Sequence, residues 1–377
     1  MTIVTGKLGD LVNIRTGKLD VNAGSPDGQY PFFTCAKEPY KIDIYDYDCE
    51  CVLVAGNGDL NVKYFNGKFN AYQRTYIVEP KDTRKLSTKF LFFFLNSYIE
   101  KLRANSIGGV IKYIKLNHLT DIYIPILELH TQDQIVKILE QADTLRQQCQ
   151  QMEQELNALA QSVFLDMFGD PVTNSHNLKS VKLSELVSVT SGATPSTTND
   201  EYWSGDYPWV SPKDMKKNYI SDSIDHISEM VFEKTTLKKI IPDSILIVVR
   251  GMILVHTVPI AMNKTTIAIN QDIKSLVVIN DSIIPFFLFW CLKCQEKHIL
   301  SKVSTAAHGT KKLDMEDLVN LEILLPEKSE QNAFYEKIQI CDNQINIYLD
   351  YKSKIDILFS ALMQKAFNGH LNIEAVA

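Results

Sequence analysis

The hydrophobic positions of this chain fall into two kinds of pattern, and each kind occurs twice. The first kind is short. Cys51 to Ala55 is an apolar run that ends at Gly56-Asn57-Gly58, and Thr75 to Val78 is another, closed by Glu79-Pro80. Runs of this length between Gly, Pro and Asn predict buried strands. A helix with an aromatic face is predicted over Thr88 to Leu102, and Leu119 to Pro125 alternates as an edge strand does. The order returns downstream as Ser244 to Val249, Ile273 to Ile279, a helix from Ile284, and Leu321 to Pro326. The second kind is long. One seam runs through Ile135, Ile138, Ala142, Leu145, Cys149, Met152, Leu156, Leu159 and Val163. The other takes Phe334, Ile338, Cys341, Ile345 and Tyr348, slips by three, and continues through Tyr351, Ile355, Leu358 and Leu362. Heptad seams over about 35 residues predict helical rods of roughly 50 Å. Thr131-x-x-Gln134 predicts a capping box for the first rod and Gly169 with Pro171 its stop, while Asn368-Gly369 closes the second.

The repetition reaches the residues themselves. Lys7-Leu8-Gly9-Asp10-Leu11-Val12 returns as Lys182-Leu183-Ser184-Glu185-Leu186-Val187, and Gly28-Gln29-Tyr30-Pro31-Phe32 as Gly205-Asp206-Tyr207-Pro208-Trp209. Phe90 to Phe93 is echoed by Phe287 to Trp290, Gly109 by Gly309, and from Gln132 to Phe168 the offset settles at 199. A period near half the chain means duplicated domains, not a solenoid. The expected fold class is α+β. Residues 1–126 and 171–325 form two similar mixed α+β domains, followed by long spacer helices in residues 127–170 and 326–377. Two seams of matched length in one chain favour pairing with each other as an antiparallel coiled coil over a homodimer.

Composition narrows the class. With 45% hydrophobic and 22% charged residues, the chain reads as an ordinary soluble protein. Its start, Met1-Thr2-Ile3-Val4, lacks the basic and apolar parts of a signal peptide, and Ile283 to Leu292 is too short to cross a bilayer. Seven cysteines without framework spacing suit a reducing compartment, so a cytoplasmic location is expected. The net charge of −6 argues against a generic nucleic-acid binder, but it is unevenly spread. Residues 1–126 carry +3 and residues 171–325 only −1, whereas residues 127–170 carry −6 and residues 326–377 carry −2. Near-neutral globules imply weak intrinsic affinity for phosphates and help from a basic partner.

Most catalytic motifs are missing from the sequence. It has no Asn/Asp-Pro-Pro-aromatic tetrad of an adenine methyltransferase, since Asp206-Tyr207-Pro208-Trp209 lacks the first proline, and no phosphate-binding GK[TS] loop. Cys291-x-x-Cys294 with His298 lacks the second pair that a zinc finger needs, and Cys49-x-Cys51 alternates within a strand, so both read as core. His118, His256 and His308 stand alone, so no metal site is expected. What remains is a set of polar, aromatic and basic residues at turns in both halves. In the first half these are Lys37, Asn57, Lys63, Tyr72, Gln73, Arg74 and Lys112. In the second they are Trp209, Ser211, Lys213, Arg250, Asn270, Gln271, Lys311 and Lys312. Gln and Asn grip adenine bidentately, Arg and Lys grip guanine, and loop lysines neutralise phosphates. Each alone reads as a solvated loop residue, but the recurrence of the set lifts it above that reading.

These features together resemble the specificity subunit of a type I restriction–modification enzyme. The resemblance rests on the doubled K-L-[GS]-[DE]-L-V opening, the G-x-Y-P-aromatic turn, the G-x-x-K segment, and the lead from Pro326 to Glu330-Gln331 into a long helix. Thr131-Gln132 replaces the Glu-Gln pair in the first copy. The resemblance implies two target recognition domains, held apart by the helices with pseudo-twofold symmetry. It also implies double-stranded DNA as ligand, two modification (methylase) subunits and two restriction (motor-nuclease) subunits as partners, and no membrane. Catalysis would then lie elsewhere: this chain binds no cofactor, and S-adenosylmethionine, ATP and Mg belong to the partners. The rival class is a non-catalytic coiled-coil scaffold that does not bind DNA, which accounts for the seams but not for matched loops.

Overall fold

The computed structural model describes residues 4–109, 111–306 and 309–368; Gly369 and His308 lie outside them. The chain divides into two compact units, Met1–Gln151 with Tyr348–Ala377, and Met152–Ile347. Each long helix is therefore shared, beginning in one unit and ending in the other.

In the first unit a six-stranded sheet has the order Val12–Thr16, Thr75–Pro80, Tyr47–Ala55, Val62–Ala71, Tyr30–Phe33, Tyr40–Ile42. All neighbours are antiparallel except Tyr30–Phe33 against Val62–Ala71. The Thr88–Ala104 helix, capped by the Ser87 hydroxyl, lays Phe90, Leu91, Phe94 and Leu95 into the core. The second unit keeps this order in Val187–Ser191, Ile273–Val278, Ile245–Val248 and Ile260–Asn263. There the long fourth strand is interrupted after Asn263 and resumes as Ala268–Ile269, which carries Tyr207–Val210 and Asp225–Ile227 in a separate three-stranded sheet.

The doubled motifs prove to be corners. Thr5–Lys7 pairs with Tyr123–Pro125, and Ser180–Lys182 pairs with Glu322–Leu324. Leu8 and Leu183 then bury completely, with their amides on the carbonyls of Ile122 (2.8 Å) and Leu321 (2.9 Å), before the chain turns into the main sheet. Gly28 and Gly205 sit under the next strand so tightly that a β-carbon on either would lie 2.3 Å from backbone, of Ile42 or Ile227. Leu119 to Pro125 is not one edge strand. Asn117–Thr120 closes a helical turn that buries Leu119, and only Tyr123–Pro125 pairs.

The long helices span Leu129–Phe168 and Lys328–Asn368. Thr131 is no cap, because the first helix starts two residues earlier and Gln132 already bonds Glu128 (3.0 Å). Gly169, with φ of +73°, ends that helix as expected. Burial moves half of each seam by one residue. Leu145 and Leu159 are 50% and 49% exposed, while Leu139 and Ala160 are buried and Arg146 and Glu153 half-buried. In the second helix Tyr351 and Leu358 are both 54% exposed, while Ile345, Phe359 and Ala366 are buried and Lys352 half-buried. The inward set is then Ile338, Ile345, Lys352, Phe359, Ala366, and the slip at Tyr351 disappears. Polar side chains hold inward positions while apolar neighbours one step away face water, which misleads a hydrophobicity pattern.

Inside the first unit the two helical segments run antiparallel. Gln132 reaches Ser87, next to the Phe90–Phe367 ring pair, whereas Arg146 meets Asp356 at 2.6 Å. The Arg146 guanidinium also bonds Asp143 (3.1 Å) and lies 4.6 Å from the Phe359 ring centre, so its charge is matched where it leaves water.

Candidate nucleic-acid interface

The buried strand of each unit ends in a loop that its neighbours knit to the backbone of three other loops. In the first unit Gly56 donates to Arg74 (2.7 Å), Gly58 donates to Lys112 (2.9 Å), and Ile114 donates back to Gly56 (2.9 Å). Asn57 bridges Tyr113, and the Asn61 amide donates to the Cys35 carbonyl at 2.9 Å. Tyr72 donates to Phe33 at 2.9 Å. One edge thus collects the bend at 34–39, the loop at 56–61, the turn at 72–75 and the segments at 105–109 and 111–113.

Of the first-half candidates, Lys37, Gln73, Arg74 and Lys112 are exposed at this edge, and Asn57 and Tyr72 are half-buried. Among the described residues, Lys37, Arg74 and Lys112 stand in no ion pair, so their charge is available to a polyanion. Lys63 differs. Its ammonium donates to Asn61 Oδ1, and burial pulls its pKa below the usual lysine value, so it braces the loop. Sequence reasoning missed Arg103, which donates to Asp59 (2.8 Å) and the Leu60 carbonyl (2.7 Å). With Gly58, Ser106, Ile111 and Lys112 it lines a cleft of about 470 Å³. Its place near the end of an amphipathic helix gave no signal.

The second unit repeats the knit. Gly251 donates to Lys311 (3.0 Å), Val249 to Asp272 (2.8 Å), Leu313 to Val249 (2.9 Å) and Asn270 to Val210 (2.9 Å), and Arg250 bridges Lys312. Arg250, Lys213 and Gln271 are exposed there, and Lys311 and Lys312 are half-buried. Lys213 pairs with Asp225 (2.7 Å) and Lys312 with Asp314 (2.5 Å), pairs that exposure makes weak. Lys311 donates to the Thr305 hydroxyl at 2.8 Å, and the Gln271 carbonyl accepts from Thr194. Lys274, unmarked in the sequence because it alternates within a strand, belongs to this group. Burial first, and Arg250 second, lower its pKa.

Three candidates are corrected. Trp209 is 7% exposed, its indole N–H donates to the Ala193 carbonyl (3.1 Å), and its ring meets Trp203 edge-on at 5.0 Å in a small core with Ile227, Val231 and Leu237. Ser211 is 7% exposed and gives its hydroxyl to Asp214 (3.0 Å). Asn270 is 5% exposed and accepts from the Asp272 amide (3.1 Å). All three hold loops in shape, with their side chains turned to protein partners. An aromatic at a turn and a small polar residue after a strand carry the same sequence signature whether they brace a loop or reach out of it.

The cysteines read as core are buried in Cys51 and Cys291, and burial pushes the thiols of Cys291 and Cys294 up to about 11 and about 12. Among the described residues no cluster of three His, Cys, Asp or Glu could hold a metal ion, and no helix is long and apolar enough to cross a membrane.

Two copies of one α+β frame, each gathering amide- and cation-bearing loops at one edge, define a duplicated recognition fold. A family model for the type I restriction modification DNA specificity domain matches residues 2–158 and again residues 176–355, and the chain belongs to that family of specificity subunits. The type I restriction enzyme EcoDI specificity subunit of Escherichia coli is 27% identical over 412 aligned positions, covering 98% of this chain and 89% of that protein. The EcoR124I/EcoR124II specificity subunit of the same organism is 30% identical over 44% of this chain and 41% of its own length. The crystal structure of a type I restriction–modification S subunit from M. genitalium shares the fold. Its TM-score is 0.58, with 17% identity and coverage of 97% and 96% of the two chains.

Proposed function

We propose that this chain is the address-reading subunit of a type I restriction–modification complex, with each unit reading one half of a bipartite double-stranded DNA target. The observation that carries the reading is the repeated loop knit. Gly58 on Lys112 and Gly251 on Lys311 are the same hydrogen bond in two units, and each fixes a lysine beside the end of a buried strand. Rigidly held donors at matched positions suit base-edge and phosphate contacts.

The long helices serve as scaffold for two modification and two restriction subunits. Leu145 and Leu159 on one helix, and Ile340, Ile347, Tyr351 and Leu358 on the other, stay exposed at spacings of four and seven or their multiples, as side chains awaiting another helix do. Methyl transfer to adenine N6, with the base flipped into a partner's pocket, belongs to those subunits, as do S-adenosylmethionine, ATP and Mg. A cytoplasmic site of action follows from that role. The test is a mobility-shift titration of this chain with its modification subunits on the duplex that the host methylates. Binding that is at least tenfold tighter than to a scrambled duplex is expected, and equal binding to both refutes the reading.

A further inference from the structure

Both recognition edges carry an unexplained feature: large apolar side chains standing in water among cations. In the second unit, Arg250 leads through Gly251 into a short helical turn, Met252–Val255. Leu254 is 2% exposed and anchors the turn, but Met252, Ile253 and Val255 are 62%, 39% and 43% exposed. The turn is held firmly. Gly251, at φ of +132°, donates to Lys311, Leu254 donates to Gly251 (3.2 Å), and Thr257 donates to Ile253 (3.1 Å). Arg250 leads into it and bridges Lys312, and Gly251 at its start donates to Lys311, so three cationic residues adjoin it. The first unit does the same with a different element. Ile107 and Tyr113 pair through two backbone bonds of 2.9 and 2.8 Å, and beside Lys112 Ile107 stands 40% and Ile111 63% exposed.

An exposed apolar cluster on a rigid turn needs a partner surface that is itself apolar, and the cationic rim needs that partner to be anionic. A DNA major groove meets both conditions, and the apolar group it presents is the thymine 5-methyl. The Gly251–Lys311 hydrogen bond holds Met252 and Ile253 next in the chain to Arg250 and close to Lys311, so a duplex gripped by those cations would meet the two apolar side chains. We propose that each unit reads thymine by methyl contact: Met252 and Ile253 in one half-site, Ile107 and Ile111 in the other. This rests on the DNA-reading role proposed above and adds to it an apolar contact to thymine alongside the hydrogen-bonded contacts to base edges.

The test removes one methyl at a time. Duplexes carrying the host's methylated target, with deoxyuridine replacing thymidine at single positions, are titrated by fluorescence anisotropy against the complex with its modification subunits. Uracil keeps every hydrogen-bonding group of thymine. One position per half-site is expected to lose about fourfold in affinity, the value of one buried methyl group. Met252→Ala with Ile253→Ala should bind thymine and uracil duplexes equally in its own half-site and keep the discrimination in the other. Ile107→Ala with Ile111→Ala should do the reverse. These side chains are exposed, so thermal melts should match the parent chain, and the melts are run to establish it. Indifference to uracil at every position, a half-site made only of G·C pairs, or discrimination surviving the alanine variants each overturns the proposal. If the variants lose affinity equally on thymine and uracil duplexes, the turn wedges between bases, and methyl reading is again overturned. Failure of the parent complex to prefer its target at all would instead remove the underlying role.

Discussion

Gln331→Leu should loosen the second unit far more than its chemistry on paper suggests. Gln331 is completely buried at the start of the second long helix. Its carbonyl accepts from Ile284 N–H, and its amide donates to the carbonyls of Ser282 and Pro326, all at 2.9 Å. One side chain thereby ties the helix start to the loop before it and to the N-cap of the Pro285–Cys294 helix. Leucine fills the space but leaves one backbone N–H and two carbonyls buried without partners. At about 1 kcal/mol each, the loss is about 3 kcal/mol, or a roughly 100-fold rise in the open population. Hydrogen–deuterium exchange resolved by peptide reads this directly, because local opening free energy sets the rate. Peptides within residues 152–347 should speed up by about that factor while those of the other unit change little.

Gln132→Leu should do the converse, since Gln132 accepts from Ser87 (2.9 Å) and donates to Lys85 (2.8 Å) and Leu127 (2.9 Å). Gln331→Glu adds a pH signature. A carboxylate facing two carbonyl oxygens is disfavoured, so its folded pKa rises above the ordinary value near ~4.3. The deficit against the parent chain is least below that value and grows as pH rises through the raised one. Exchange within threefold of the parent for Gln331→Leu, or a deficit for Gln331→Glu that shrinks as pH rises, would refute the reasoning.

Other consequences are simpler to state. Trp209→Ala should cost about 3–5 kcal/mol as a cavity in the small core around Ile227 and Val231, measured as a lowered urea midpoint. Tyr351→Glu with Leu358→Glu should leave the chain's own melting intact, because both side chains are exposed, yet weaken co-purification of the modification subunits at least tenfold. Arg74→Ala should lower affinity for target DNA about equally across sequences and flatten its salt dependence if the guanidinium meets phosphate, or relax one base of one half-site if it meets a base. Titrating DNA affinity against salt at several target variants separates the two.

Much of the fold was legible because duplication printed it twice. The Leu8/Leu183 corner and the Gly28/Gly205 turn each satisfy a steric demand that only a narrow residue choice meets. The seam was legible as a period but misplaced in phase. Arg146 occupies an inward position because Asp356 and the Phe359 ring complete it, and hydropathy does not see partners. The candidate interface was legible as a set of loops, because turn chemistry marks loop ends. Which side chain points outward was not. Trp209, Ser211 and Asn270 turn inward to carbonyl, carboxylate and amide partners that lie up to 16 residues away in sequence. Arg103 and Lys274 joined the edge from a helix and a strand whose patterns said only that they faced water.

The central claim is a division of labour between two loop sets on one chain. The measurement that tests it most directly is methylome sequencing of a host that expresses this chain with its partners. The parent chain is compared with Gln73→Ala/Arg74→Ala and with Lys213→Ala/Gln271→Ala. A lost base contact costs about 1–3 kcal/mol, enough to relax a position visibly. The account predicts that the first pair of substitutions degenerates bases in one half of the methylated motif only, and the second pair in the other half only. Both pairs degrading the two halves alike, or leaving the motif untouched, would contradict it.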